Sequence, residues 1–300
     1  MLNRPGLDPL AVRRQFSRRA NQLAQADFLL REVEGQMFER LDVIRLDPAR
    51  IVDIGCGHGH GLLDLRRRFQ QATVLGIDCS VPNLNIARSR LAVPASGFLK
   101  RLRRHLGPRQ PGHLAELIAA DQEHLPIAAS TVDLIWSNLC LHWSDDPLAV
   151  IDQWHRIVRP GGLLMFSMFG VDTLAQLRSA GAGVMPFNDM HDIGDALVAA
   201  GFADPVMDMN MVTVNFSSPE KLLSDVHALG GNALAGRCSG LSGKGQRALW
   251  LDALLQMRDK VDGQIPLSFE VCFGHAWCPD PKRLPKGLAR VEFQPKPTGR

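Results

Sequence analysis

The glycine-rich stretch at residues 51–61 constrains the fold of this chain more than any other feature. The β-branched residues Ile51 and Val52 read as the end of a buried strand, and leucines with helical spacing follow the glycines. The stretch therefore predicts a strand, a glycine loop and a helix. Glycines allow unusual backbone conformations and a close approach of ligand to backbone, and the first turn of the helix offers free N–H groups to an anion.

The spacing of these glycines limits which class of ligand the loop is expected to bind. A dinucleotide-binding loop has the spacing Gly-x-Gly-x-x-Gly, but here Gly59 follows Gly55 and Gly57 one residue early, and Asp53 precedes them. This Asp-x-Gly-x-Gly-x-Gly pattern resembles motif I of the class I S-adenosylmethionine (SAM) methyltransferases. Taken alone, the loop also fits an ordinary tight turn between a strand and a helix.

Two later strand ends support the SAM interpretation. Asp78 ends a short strand 19 residues after Gly59, where an acid can accept hydrogen bonds from both ribose hydroxyls. Asp121 and Gln122 follow a third strand at residues 114–120 and suit the amino group and a ring nitrogen of adenine. The residues predicted to bind SAM are Asp53, Gly55, Cys56, Gly57, Gly59, Asp78, Cys79, Asp121, Gln122 and Asn138.

Strands and helices alternate along residues 49–169, which predicts a parallel sheet with right-handed crossovers and a ligand at the carboxyl ends of the strands. The predicted fold class is α/β, a Rossmann-like class I methyltransferase fold with a mostly parallel seven-stranded sheet, an N-terminal helix and a small helical lid. The predicted segments are a helical segment at 1–48 with one helix over 9–46, a SAM-binding core at 49–217, a lid insertion at 218–264, a last strand at 265–278 and a flexible tail at 279–300. A basic stretch at 97–112 reads as a surface insertion.

Composition places the chain among ordinary globular proteins. Its apolar content of 45% over 300 residues suits one core of usual size. The longest nearly apolar run, at residues 161–170, is about half of what a bilayer requires, and no apolar signal region opens the chain, so we expect a cytoplasmic protein without a membrane segment. The six cysteines form no Cys-x-x-Cys pair, and we expect reduced thiols with neither metal nor disulfide.

Charge is unevenly distributed behind a net value of +3. Residues 1–110 contain 19 Lys and Arg against 10 Asp and Glu, whereas residues 111–230 contain 4 against 15. A basic N-terminal third suits an acidic partner, although the two regions could also solvate and pair with each other. Four arginines crowd the first turns of the predicted N-terminal helix: Arg13, Arg14, Arg18 and Arg19. The acidic middle region and the lack of an RNA-reading motif argue against nucleic acid.

Residues 13–277 are similar to the malonyl-acyl-carrier-protein O-methyltransferases of biotin synthesis. The similarity rests on Phe-x-Arg-x-Ala at 16–20, Ser-Asn-Leu-x-x-x-Trp at 137–143, Val-Arg-Pro at 158–160 and Leu-Gly-Gly-Asn-Ala at 229–233. The chain also resembles the mitochondrial complex I assembly factors of the same fold, which are linked to arginine hydroxylation, especially at residues 141–143 and 168–178. One departure from the methyltransferase family is Leu23, which stands where that family carries a tyrosine.

The resemblance implies SAM as cofactor and methylation of the free carboxylate of a malonyl thioester on an acyl-carrier protein. Such a carboxylate is already ionised, so catalysis would rest on alignment and exclusion of water rather than on a base. Asn138, His142 and Trp143 are the candidate catalytic residues at the pocket wall. Arg14, Arg18 and Arg19 would contact the acidic carrier protein.

Two alternatives remain at this stage. A protein-modifying or assembly factor of the arginine hydroxylase type would normally need iron held by two histidines and a carboxylate, and the sequence contains no His-x-Asp or His-x-Glu. A scaffold protein could instead keep SAM as a structural ligand without turnover.

Overall fold

The computed structural model describes residues 6–92, 115–231, 233–235 and 244–280 of the chain. The predicted basic insertion at 97–112 lies outside these residues, as does all but the first part of the predicted tail. Within the described part, no helix is both long and apolar enough to cross a bilayer.

Seven strands form one sheet. They are β1 (Arg50–Ile54), β2 (Thr73–Asp78), β3 (Glu116–Ala119), β4 (Val132–Ser137), β5 (Val158–Phe169), β6 (Ala203–Phe216) and β7 (Ile265–Trp277). Their order across the sheet is β3-β2-β1-β4-β5-β7-β6, and β7 runs antiparallel to both of its neighbours while the other pairs are parallel. The prediction of a mostly parallel seven-stranded α/β sheet is confirmed.

The helices flank this sheet. They are α1 (Pro9–Ala26), α2 (Phe28–Asp42), α3 (His60–Arg68), α4 (Val81–Leu91), α5 (Pro147–Ile157), α6 (Ala175–Ser179), α7 (Met190–Ala200), α8 (Pro219–Ala228) and α9 (Lys244–Gln256), with a 3-10 turn at Leu141–Trp143. At several helix N-termini the sequence has a capping residue followed within two positions by proline. Asp8, Ser80, Asp146 and Ser218 each accept a hydrogen bond from a backbone N–H in the first turn.

The single N-terminal helix predicted over 9–46 is two helices, because the chain turns at Asp27. The break lets the two halves pack on different neighbours: α1 contacts α4 and α8, whereas α2 contacts β5. The buried apolar residues of α2 recur every fourth position, at Leu29, Val33, Met37 and Leu41. This stripe anchors α2 on the sheet beside the carboxyl end of β1.

The expectation that a helix follows every parallel strand is wrong after β3. Residues 120–131 contain turns but no helix. Side chains of α5 instead form hydrogen bonds with backbone groups of residues 120–131. Arg156 donates to the carbonyls of Leu125 and Ile127, and Gln153 accepts from the N–H of Leu125. Backbone groups of this crossover are therefore satisfied without regular structure.

Candidate active site

The glycine loop between β1 and α3 follows a path that other residues would strain. Gly55, Gly57 and Gly59 have φ values of +80°, +50° and +74°. A Cβ atom on Gly55 would lie 2.5 Å from Sγ of Cys140, so the loop also passes close to the segment after β4. The backbone N–H groups of Gly55 and Cys56 donate to the carbonyl of Ile77, at 2.8 and 3.0 Å, which joins the loop to β2.

Asp78 at the end of β2 is held beside this loop. One carboxylate oxygen accepts from the N–H of Gly57 at 2.9 Å, and the other accepts from the N–H of Ser80 at 2.8 Å. Burial raises the pKa of Asp78, and these hydrogen bonds lower it. A carboxylate offers about four acceptor positions, so Asp78 can still accept from a vicinal diol after both backbone bonds are made.

A cavity beside Asp78, here called the nucleoside cavity, brings most of the predicted cofactor residues together. Its walls include Gly55, Gly57, Asp78, Cys79, Asp121, Gln122, Asn138, Cys140 and Trp143, with apolar residues of α1 on the opposite side. The side chain of Gln122 is already paired with Cys140, through Nε2 to the carbonyl and Oε1 to the thiol, both at 3.3 Å. Asp121 is therefore the predicted adenine-binding side chain that remains more open to a ligand.

Three predicted cofactor residues lie outside the nucleoside cavity. Gly59 precedes the first turn of α3 and packs against Ala87 of α4, so it shapes the loop rather than lining the site. Asp53 and Cys56 line a second, smaller space, the glycine-loop cavity, which shares Gly55, Gly57 and Asn138 with the first.

The glycine-loop cavity contains residues that sequence reasoning missed. Arg31 and Glu34 of α2 line it together with Asp27, Asp53, His58 and His60. Arg31 is exposed, and among the described residues none accepts a hydrogen bond from its guanidinium group. The sequence shows Glu34 only as an acid next to the apolar stripe of α2, and that position does not predict which residues this face of the helix contacts. Leu23, at the position of the family tyrosine, lines both cavities with an apolar side chain.

Asn138 lies at the meeting point of the two cavities, but both ends of its amide are used. Its Nδ2 donates to the carbonyl of Leu30 on α2 at 2.8 Å, and its Oδ1 accepts from the hydroxyl of Ser167 on β5 at 2.8 Å. The side chain thus holds α2 against the sheet. This arrangement suits a positioning residue better than one whose amide acts directly on a substrate.

His142 is a packed, neutral ring. It is 3% exposed, and burial lowers its pKa to about 3. Its Nδ1 accepts from the N–H of Phe169 at 3.3 Å, and the rings of Trp143, Phe169 and Phe187 surround it. Since it lines none of the cavities described here, the structure does not support the predicted catalytic role for His142.

A larger cavity of about 880 Å³ lies between the sheet and the lid helices α8 and α9. Its walls are mainly apolar and aromatic, with Trp143, Phe169, Leu177, Phe187, Leu223, Leu229, Trp250 and Phe269 among them, and its polar residues are Glu220, Ser224, His227 and Arg247. This lid cavity shares Trp143 and Leu229 with the nucleoside cavity. These two side chains therefore lie on the boundary between the two cavities.

The lid is fastened to α1 by Arg19. Its Nη1 donates to the carbonyls of His227 and Gly230, both at 2.9 Å. The guanidinium group of Arg19 is thus bonded to the lid, and its predicted contact with a partner stays a prediction. Arg14 and Arg18 are exposed on the same helix and remain candidates for that contact.

The chain passes tightly over the site where α8 ends. Gly230 has a φ of +132°, and a Cβ atom there would collide with the indole of Trp143. Trp143 in turn packs edge-to-face on Phe16 of α1, with ring centroids 5.0 Å apart. The Leu-Gly-Gly segment at 229–231 thus joins α1, the lid and the junction of the two cavities.

One group of potential metal ligands occurs within the described residues. Ligand atoms of Asp121, Glu123 and His124 lie within 4.8 Å of one another, and the three side chains are exposed or half-buried. Exposed acidic groups of this kind are common without a metal, and the prediction of no metal site stays a prediction.

Comparison with known proteins identifies the family. A methyltransferase-domain family model matches residues 52–166. Three proteins named malonyl-[acyl-carrier protein] O-methyltransferase are similar over nearly the whole chain. That of Laribacter hongkongensis is 42% identical over 96% of this chain and 96% of its own, that of Gallionella capsiferriformans 40% over 95% and 96%, and that of Methylovorus 37% over 97% and 96%.

Solved structures agree on the fold. The YcgJ protein of Bacillus subtilis is 12% identical with a TM-score of 0.57, and the match covers 84% of this chain and all of YcgJ. A putative methyltransferase of Bacillus halodurans is 14% identical with a TM-score of 0.54, covering 82% of this chain and 99% of its own. The fold prediction and the family resemblance are confirmed: the chain belongs to the malonyl-[acyl-carrier protein] O-methyltransferase family and is a SAM-dependent methyltransferase.

Proposed function

We propose that this chain transfers the methyl group of SAM to the free carboxylate of a malonyl thioester on an acyl-carrier protein, in the biotin pathway. The names of its relatives support this proposal, and one structural observation carries it: the lid cavity meets the nucleoside cavity at Trp143 and Leu229. A carrier-bound acyl group in the lid cavity would reach the cofactor there.

The residues of the two smaller cavities suit SAM. Asp78 would accept from the ribose hydroxyls, Asp121 would face the adenine, and the glycine loop would lie against the amino-acid end. Arg31, whose guanidinium group donates to no acceptor within the described part of the chain, would pair with the cofactor carboxylate. Bound SAM supplies an electrophilic methyl group on a sulfonium.

The chemistry at the junction fits an acceptor that needs no base. Trp143 and Leu229 carry no titratable group, and the neighbouring His142 is neutral. A malonyl carboxylate is ionised at neutral pH, because carboxyl groups in water have pKa values near 4. The aromatic walls of the lid cavity would exclude water and align the carboxylate with the methyl group, which is the main task in such a transfer.

Docking of the carrier protein is assigned to α1. Arg14 and Arg18 are exposed, and their spacing of four residues places them on one face of this helix. The helix also contacts α8, so an acidic protein bound there would sit next to the lid. Charges at such a rim mainly increase the rate of encounter. A cytoplasmic location is part of this proposal.

The two alternatives have weaker support. The one group of metal ligands in the described chain offers a single histidine, whereas an iron hydroxylase site normally uses two histidines and a carboxylate. A SAM-binding scaffold would leave the apolar lid cavity, which borders the nucleoside cavity at Trp143 and Leu229, without a role.

Mass spectrometry of the carrier protein tests the proposal. Malonyl-carrier protein incubated with this chain and SAM should gain the mass of one methyl group. Acetyl-carrier protein, which lacks the free carboxylate, is the matched control and should not change. SAM binding without any mass gain would favour the scaffold, and equal gain on both substrates would exclude the carboxylate as acceptor.

A further inference from the structure

Two buried carboxyl groups line the glycine-loop cavity. Glu34 comes from α2 and Asp53 from β1, and they are 7% and 3% exposed. Both lie over Gly61 in the first turn of α3: a Cβ atom there would collide with Oε1 of Glu34 and lie 3.1 Å from Oδ2 of Asp53. Only a glycine at position 61 leaves room for this pair.

The groups around the pair compensate its charge only in part. The indole N–H of Trp136 donates to Oε1 of Glu34 at 3.3 Å, which is a neutral donor. Other titratable or charged groups that face the pair are Arg31 on α2, Asp64 on α3, Asp78 on β2, Cys56, His58 and His60 of the glycine loop, and Asp27, which pairs with His60 at 3.0 Å. Three of these are further acids, and burial lowers the pKa values of His58 and His60, so both rings are neutral near pH 7.

Two carboxylates cannot both remain charged at low cost in such a place. Burial raises the pKa of Glu34 to about 7, with Asp64 adding to the effect. Burial also raises the pKa of Asp53, and the charges of Glu34 and Asp78 raise it further. The arrangement resembles other carboxyl pairs that hold one proton between them at neutral pH.

A cation entering the cavity would reverse this balance. An ammonium group offers three N–H donors and one positive charge, and it favours the ionised form of every carboxyl near it. The amino-acid end of SAM carries such a group next to a carboxylate, and Arg31 lies in the same cavity with the charge that suits the carboxylate. The cavity thus offers acids for one end of an α-amino acid and a guanidinium group for the other.

We infer that Glu34 and Asp53 share one proton in the unliganded chain and together bind the α-ammonium group of the cofactor, releasing that proton. Glu34 is then a cofactor-binding residue supplied by the N-terminal helices rather than by the sheet. This inference rests on SAM binding but is independent of the methyl acceptor.

Calorimetry of S-adenosylhomocysteine binding tests the inference without turnover. Titrations at pH 7 in phosphate and in Tris, which differ in ionisation enthalpy, report the protons released. Wild type should release up to about one proton. Glu34→Gln should release at most half as much, and Glu39→Gln, at an exposed position of the same helix, should match wild type. The nucleoside 5′-methylthioadenosine lacks the amino-acid end and should release none.

The outcomes separate the inference from the cofactor assignment. Binding of S-adenosylhomocysteine with equal proton release in wild type and Glu34→Gln overturns the role of Glu34. Release with 5′-methylthioadenosine overturns the role of the ammonium group, and absence of S-adenosylhomocysteine binding overturns SAM binding as well. If Glu34→Gln does not fold, the wild-type protein decides the matter. Its affinity for S-adenosylhomocysteine should increase by up to about tenfold for each unit by which the pH is raised toward 7, because binding releases a proton. An affinity that does not change with pH refutes the inference.

Discussion

Replacing Gly230 by alanine should disturb the point where α1, the lid, the nucleoside cavity and the lid cavity meet. The residue has a φ of +132°, where a side chain strains the backbone by about 1–3 kcal/mol. The new Cβ would also collide with the indole of Trp143 and displace it from Phe16, a ring contact that contributes about 0.5–1.5 kcal/mol. Together these effects predict a loss of about 2–4 kcal/mol in the free energy of unfolding.

Local detachment of the lid is the other way to relieve the collision. Moving residues 229–231 away from Trp143 would break the bonds from Arg19 to the carbonyls of His227 and Gly230. Global stability would then fall less, but hydrogen exchange in α8 would accelerate and methyl transfer would slow, because Leu229 and Trp143 form the junction of the cavities. Either route lowers activity.

Urea denaturation, hydrogen exchange and the rate of methyl transfer should be measured together on this variant and on Gly245→Ala. Gly245 lies in α9 of the same lid, and a Cβ atom there has no neighbour within 4 Å. That control should be neutral or more stable than wild type by up to about 1 kcal/mol, since alanine favours the helix. The reasoning is refuted if the two variants agree in stability, exchange and rate.

Asp78→Ala removes the acceptor proposed for two ribose hydroxyls and should weaken SAM binding, measured by calorimetry, by roughly 1–3 kcal/mol; unchanged affinity would contradict this role. Reversing Arg14 and Arg18 to Glu should raise KM for malonyl-carrier protein and reduce its salt dependence while SAM affinity stays constant; an unchanged KM at low salt would exclude docking on this face. The pKa of Glu34, raised from 4.5 to about 7, stabilises the unliganded fold below pH 4.5, and that contribution is lost as pH rises through 7. Chemical denaturation should therefore show that the free energy of unfolding of Glu34→Gln, relative to wild type, increases by up to roughly 3 kcal/mol between pH 4.5 and 8, at about 1.4 kcal/mol per pKa unit. A difference that stays constant with pH would count against the raised pKa.

The strands and the residues at their ends could be predicted because their signals are local. Buried parallel strands read as short apolar runs, and the acid or glycine that follows each run marks its carboxyl end. Parallel strands bring those ends to one edge of the sheet, which is why Gly55, Asp78 and Asp121 meet in one cavity.

Other features depended on contacts that sequence patterns do not specify. At Asp27 one helix ends and another begins, and the two helices pack on different neighbours. The helical spacing of apolar residues continues across this position, so the sequence pattern does not reveal the break. Arg19 and Arg18 are adjacent arginines in one helix, yet only Arg19 meets the carbonyls of the lid. His142 lies in a segment typical of active sites, but the aromatic rings around it leave it buried.

The contacts of the N-terminal helices with the site are the feature that the helical sequence pattern predicts least. These helices are hydrogen-bonded to the core by residues that line the cavities or lie beside them. Trp136 donates to Glu34, Asn138 donates to the carbonyl of Leu30, and His60 pairs with Asp27. All three contacts join the first helices to residues beside the glycine loop, so docking of α2 and completion of the cofactor site are one event. A ligand that binds only the docked form stabilises it by linkage, so cofactor binding at this site would also strengthen the docking of α2 on the sheet.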